Sequence, residues 1–199
     1  EDDIIQYILD HLLTQDIDHF VIADNMSSDN TRLILDSFDE RYPGKFTIVD
    51  DREVGYYQAD KMNALMTLAV DSGATAILPF DADELWLTQD QRKTVGQVLK
   101  ENPHPVLVAE VWNMVGKPVS GNPILDMVYR EPEIRSLPSV AFRWEPNCRL
   151  LQGNHNVIHS GSRDHDALWV RHYQYRSLNQ LKLKVRQGKA AYDATSLPE

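Results

Sequence analysis

Through the first 112 residues, short apolar runs alternate with segments of helical period, and that alternation constrains the fold more than any other feature. Residues 3–13 place Ile4, Ile5, Ile8 and Leu12 on one helical face. "HFVIA" (19–23) reads as a short buried strand, and "NMSSDNT" as a polar turn that caps the helix "RLILDSF". "FTIVD" (46–50) is the next strand. "ADKMNALMTLAVDSG" (59–73) is a helix with Met62, Leu65, Met66 and Ala69 on one face and Gly73 as its stop. "AILPF" (76–80), the short helix "TVGQVLKEN" and the strand "VLVAEVW" (106–112) complete the series. Strands spaced by helices predict the α/β class, with a mostly parallel central sheet flanked by helices. In such sheets ligands bind at the carboxyl ends of the strands.

The second half has another texture. Residues 113–139 carry Pro118, Pro123, Pro132 and Pro138 with few periodic runs. That is too long for a passive connection and predicts an ordered excursion or a lid. Two strands follow, "VAFRWE" and "ALWVRHYQY", and then a helix opening on the Ser-x-x-Gln pattern of "SLNQ". No repeat or linker divides the chain, which predicts one domain over 1–199.

The 20 Lys and Arg against 30 Asp and Glu give a net charge of −10, which argues against general nucleic-acid binding. A single cysteine, Cys148, excludes an intramolecular disulfide framework and a cysteine-rich zinc site. No apolar run is long enough to cross a bilayer. The expected location is cytoplasmic, or peripheral at the inner face of a membrane.

The predicted strands end in acid: Asp24 with Asn25, Asp50 with Asp51, and Asp81, Asp83 and Glu84 in "AILPFDADELW". On a continuing strand, Asp81 and Asp83 would point the same way and repel unless a cation sat between them. Carboxylate oxygens suit Mg²⁺ or Mn²⁺, which ligand phosphates commonly complete. The structural alternative makes Asp83 a cap for the next helical turn.

Four stretches, "HFVIADNMSSDNTR", "QADKMNAL", "LPFDADELW" and "RHYQYRSLNQLKLKVRQGKAAY", together resemble the family 2-like glycosyltransferases of the GT-A fold. The closer likeness is to the branch with a C-terminal His-Tyr-x-x-Arg-Ser-x-x-Gln segment. The resemblance implies a GT-A-type fold whose first strand would precede Glu1, with 1–112 binding the nucleotide-sugar and 113–199 facing the acceptor. It implies a metal-dependent glycosyltransferase, inverting, that uses a UDP- or GDP-sugar and a glycan, lipid or other hydroxyl acceptor. Asp24 would contact the nucleobase and Asp51 the nucleoside, with Lys61 and Asn63 near the nucleotide. Asp83 would ligate Mn²⁺ or Mg²⁺ directly, and Asp81 would lean toward the ribose or sugar. His155 or His172 would supply a further metal ligand. Arg176, Lys182 and Lys184 would face the diphosphate. Transfer needs a general base; Glu110 is the first candidate and Asp126 the second. A nucleotide-sugar-binding module without catalysis and a haloacid dehalogenase-like phosphatase are the competing readings.

Overall fold

A computed structural model describes residues 1–151 and 153–195. The chain opens with α1 (Ile5–Leu13), β1 (Phe20–Asp24), α2 (Thr31–Arg41) and β2 (Phe46–Asp50). β1 and β2 are parallel, because α2 carries the chain back across them. Phe20 lies opposite Phe46, and their rings stack at 4.8 Å. This pair stands as a separate two-stranded sheet.

Next come α3 (Gln58–Asp71), the two-residue β3 (Ala76–Ile77), β4 (Glu84–Thr88) and α4 (Val95–Glu101). Thr94 caps α4 through a complete capping box with Gln97. The long β5 (Val106–Val115) follows, then α5 (Pro123–Asp126), β6 (Tyr129–Arg130) and β7 (Ser139–Arg143). The hairpin β8 (Arg149–Leu151) and β9 (Asn156–Ile158) comes next, and β10 (Arg163–Asp164), β11 (Leu168–His172) and α6 (Leu178–Asp193) complete the chain.

The expected mostly parallel GT-A-type sheet is not what forms. The seven-stranded sheet runs β3-β7-β5-β11-β4, with β6 and β10 also on β5. It is a curled, mostly antiparallel half-barrel in a mixed α/β fold. β3–β7, β5–β7, β5–β6 and β11–β4 are antiparallel, and only β11 and β10 lie parallel to β5. The reason lies in β5, whose ten residues outrun any one partner. Val106–Ala109 pair with β7 and Glu110–Asn113 with β11. Strands that change partner along a twisted neighbour curl the sheet.

Two misread boundaries account for the difference. "AILPF" keeps only two strand residues before Pro79, and the run "ELWLT" after the acids is itself the strand β4, almost wholly buried. The 113–139 excursion does not hang free. It contains α5 and β6, and then Glu131 N donates to Asn113 O and Arg135 N to Val111 O, each at 2.9 Å. It is therefore laced along β5 up to the start of β7.

The main core gathers Ile4, Ile8, Leu9 and Leu12 of α1, Trp86 of β4, Leu107 and Val111 of β5 and Val170 of β11. A second cluster, with Val106, Val140, Phe142, Leu150 and Val157, lies under α3. Two helical glycines contrast here. A Cβ on Gly96 in α4 would sit 2.3 Å from Asp16 O, whereas on Gly188 in α6 it would meet nothing within 4 Å. Gly188→Ala should therefore raise stability by up to about 1 kcal/mol through helix propensity, and Gly96→Ala should lower it despite the same gain. Thermal or urea unfolding of the two variants checks the opposite signs.

Candidate functional site

The acids of "DADELW" lie on a turn, not on a continuing strand. Glu84 N donates to Asp81 O at 3.0 Å and closes that turn, and Glu84 is the first residue of β4. β4, β11 and β5 then align three side chains by register, Glu84 opposite His172 and His172 opposite Asn113. Tyr173 N donates to Asp83 O at 2.9 Å and holds the turn against β11.

Asp83 is buried and ringed by cations. Lys184 Nζ of α6 stands 2.5 Å from Oδ2, Arg176 Nη1 at 3.6 Å, and His172 Nε2 lies 3.5 Å from Oδ1. Burial alone would push this carboxyl up. The hydrogen bond from His172 and the charge of Lys184 reverse that and hold it far below the carboxylate range. Burial likewise opposes the charge on Lys184, but Asp83 and Glu1 keep its pKa above the ordinary value. His172 is oriented from behind: its Nδ1 meets Asn113 Oδ1 at 2.9 Å, while Asn113 Nδ2 donates to Glu131 Oε2 at 2.8 Å. Since Asn113 offers an oxygen, Nδ1 donates to it, and a hydrogen bond from Nε2 to Asp83 calls for a proton on that nitrogen as well.

The two neighbouring acids go the other way. Glu84 has no exposed surface; Ser139 Oγ donates to it at 3.0 Å and Asn154 Nδ2 at 3.1 Å. Burial, then the charges of Asp81 and Asp83, push its carboxyl up to about 8. Asp81 is shifted upward by burial and then by Asp83. One turn thus holds one firmly ionised acid and two that resist ionisation.

Around Asp81 stand groups from distant parts of the chain. His155 Nδ1 donates to Pro138 O at 2.9 Å, which leaves Nε2 as an acceptor, and burial lowers its pKa. Tyr56 donates to Gln58 Oε1 at 2.6 Å and stacks on Tyr192 of α6 at 4.8 Å. Burial raises the Tyr56 phenol, and the charges of Tyr192 and Asp81 add to the shift. Arg135 opposes that shift and adds to the lowering at His155, so it shares their neighbourhood. Its Nη1 is buried with no hydrogen-bond partner among the described residues.

The other residues singled out from the sequence are occupied elsewhere. Asp24 accepts from Ser27 N and lies 3.9 Å from Arg32. Asp51 caps Glu53 N and pairs with Lys61 Nζ at 2.6 Å, and Lys61 also donates to Glu53 O. Asn63 is a staple between α3 and β8: it donates to Leu150 O and accepts from Leu150 N, both at 2.9 Å. Arg176, wholly buried, holds Glu1, Asp3 and Tyr173 O. Lys182 is exposed on α6. Glu110 is exposed on β5 opposite Trp169, and Asp126 is bound by the backbone and hydroxyl of Ser120.

A resident metal ion does not fit this arrangement, since an ammonium and a guanidinium already stand on Asp83. Among the described residues, no three or more His, Cys, Asp or Glu side chains are placed to hold one. Asp81, Asp83, His155 and His172 form no such group there. With the GT-A sheet also absent, the reading as a metal-dependent glycosyltransferase falls, and with it the enzyme class drawn from that fold. No helix among the described residues is long and apolar enough to cross a membrane.

The sequence reading missed Arg135, Tyr56, Asn113, Ser139 and Asn154. No local pattern marks them; register and the course of 131–135 along β5 bring them in.

The raised Glu84 acid has a consequence for stability. The folded state holds its proton between the ordinary glutamate value of 4.5 and about 8. Its contribution is complete below that window and is lost as pH rises through it. Glu84→Gln has no such loss, so its melting temperature should gain on the wild type from pH 4.5 to 8. Parallel thermal melts across that range check the trend.

No protein-family model and no curated protein matches the chain.

Proposed function

We propose that the cleft around Asp81 binds a phosphorylated, hydroxyl-rich small molecule. A nucleoside diphosphate, free or joined to a sugar, is the representative that the sequence resemblance suggests. The observation that carries this reading is Arg135. An arginine with an unsatisfied buried nitrogen, in the neighbourhood of Tyr56 and His155, offers a charged donor that phosphate oxygens take. Asp81, shifted toward its protonated form, can both donate to and accept from ligand hydroxyls. His155 Nε2 adds an acceptor, and Tyr56 adds a flat face where the 51–57 loop meets α6.

No transfer chemistry is assigned to the cleft. Mg²⁺ or Mn²⁺ enters this reading only as a companion of the diphosphate, with Asp81 as the protein carboxylate it meets. Mg²⁺ is commonly held by one or two carboxylates and the ligand's own phosphates.

Calorimetric titration with UDP and GDP, each with and without Mg²⁺ or Mn²⁺, tests the proposal. Binding by the intact chain should weaken about tenfold or more in Arg135→Ala, the scale of a lost charge-assisted hydrogen bond. Absence of binding under every condition, or an Arg135→Ala variant that binds like the wild type, overturns it.

A further inference from the structure

Helix α6 presents two different faces. Leu181, Lys184, Gly188 and Ala191 recur at spacings of three and four and are half-buried against the body. Beside that face run Leu178 and Val185, seven apart and exposed by 65% and 63%, while Tyr192, seven further on, turns to the body and stacks on Tyr56 at 4.8 Å. Residues four apart are neighbours on a helix, so exposed Lys182 and Lys189 flank Leu178 and Val185, with Arg186 beyond them. The helix holds four cations against the single acid Asp193, which pairs with Lys189, in a chain whose net charge is −10. Positive charge and exposed apolar surface are therefore segregated onto one face.

That face continues past the start of the helix. A groove of about 550 Å³ lies between Gly116, Lys117 and Pro118 on one side and Tyr175, Leu178 and Leu181 on the other. Tyr175 at its margin is exposed. A tyrosine at the margin of an apolar strip, with lysines whose stems can lie along it, suits a boundary between water and hydrocarbon.

From this arrangement we propose that the outer face of α6 docks on an anionic lipid bilayer surface. Charge complementarity selects that occupant. Lys182 and Arg186, with Lys189 on the same side, meet acidic headgroups, and Leu178 and Val185 enter the interface beneath them. A second copy of the chain fits less well: the basic face would need an acidic face of its neighbour. Such head-to-tail contacts form open chains unless their rotation closes a ring. The docking surface is separate from Lys184 and Tyr192, which contact Asp83 and Tyr56 on the inner side of the helix.

Cosedimentation of the full chain with phosphatidylcholine vesicles, with and without a phosphatidylglycerol fraction, is the test. Partition should be at least about tenfold higher on the anionic vesicles at low salt and should fall as salt is added. Each of Lys182→Glu and Arg186→Glu should lower it by at least about fivefold, with the melting temperature unchanged to show that the fold persists. Leu178→Ser with Val185→Ser should weaken it as well. Equal partition on neutral and anionic vesicles, or charge variants that partition like the wild type, overturns the proposal. Concentration-dependent self-association without vesicles that the same variants abolish overturns it too, and assigns the face to a second copy.

Discussion

A buried carboxylate that must stay ionised is the constraint around which this molecule is arranged. Asp83 has almost no contact with water, so its charge has to be met from within. Lys184 comes from the last helix, Arg176 from the segment before it, and His172 from the end of β11. Arg176 in turn reaches back to Glu1 and Asp3 at the opposite end of the chain. One acid on a four-residue turn thereby ties together the first helix, the central sheet and the last helix. The attachment of α6 follows from this need, since the helix buries none of its own residues. It rests on Lys184, on the ring of Tyr192 and on Thr195, which accepts from Tyr56 N at 2.6 Å.

Ionising Asp83 sets the state of its neighbours. Like charges in a dry site cannot all be maintained, and the cations are spent on one of them. Glu84, one residue on, receives only neutral donors from Ser139 and Asn154 and keeps its proton well into the neutral range. Asp81, half-buried, sits between the two regimes and is biased upward. Three acids adjacent in sequence therefore behave as a permanent anion, a hydrogen-bonding acid and a buried neutral carboxyl. That division makes the cleft polar without making it strongly negative, which an anionic ligand requires.

Local signals in the sequence were read well. Helices α1, α2, α3 and α4 fall where apolar spacing and caps place them, and β2 keeps the limits 46–50. Strand direction was not legible, because pairing is decided by residues far apart. "ELWLT" reads as the tail of an acidic loop until Leu168–His172 lies antiparallel to it. The concentration of acid at 81–84 was legible as a site of unusual charge, but its partner was not. Lys184 lies 101 residues away, and nothing in a helical lysine announces that it faces inward. Arg135 was invisible for the same reason, since its position depends on a backbone bond to Val111. Where the sequence reading set a metal beside Asp83, the structure sets the ammonium of Lys184.

The alignment of Glu84, His172 and Asn113 across three strands has a further consequence for how the chain can change over generations. Side chains alternate between faces along a strand, so adding or removing one residue inside β4 or β11 would exchange inward and outward sets together. Glu84 would leave its shelter and an apolar neighbour would take its place beside Asp81. Length changes are therefore barred from these strands and confined to the segments that join them. The spacing from Asp83 to Glu84 and from His172 to Tyr173 becomes a fixed ruler, while the loops between can lengthen, shorten or acquire new partners.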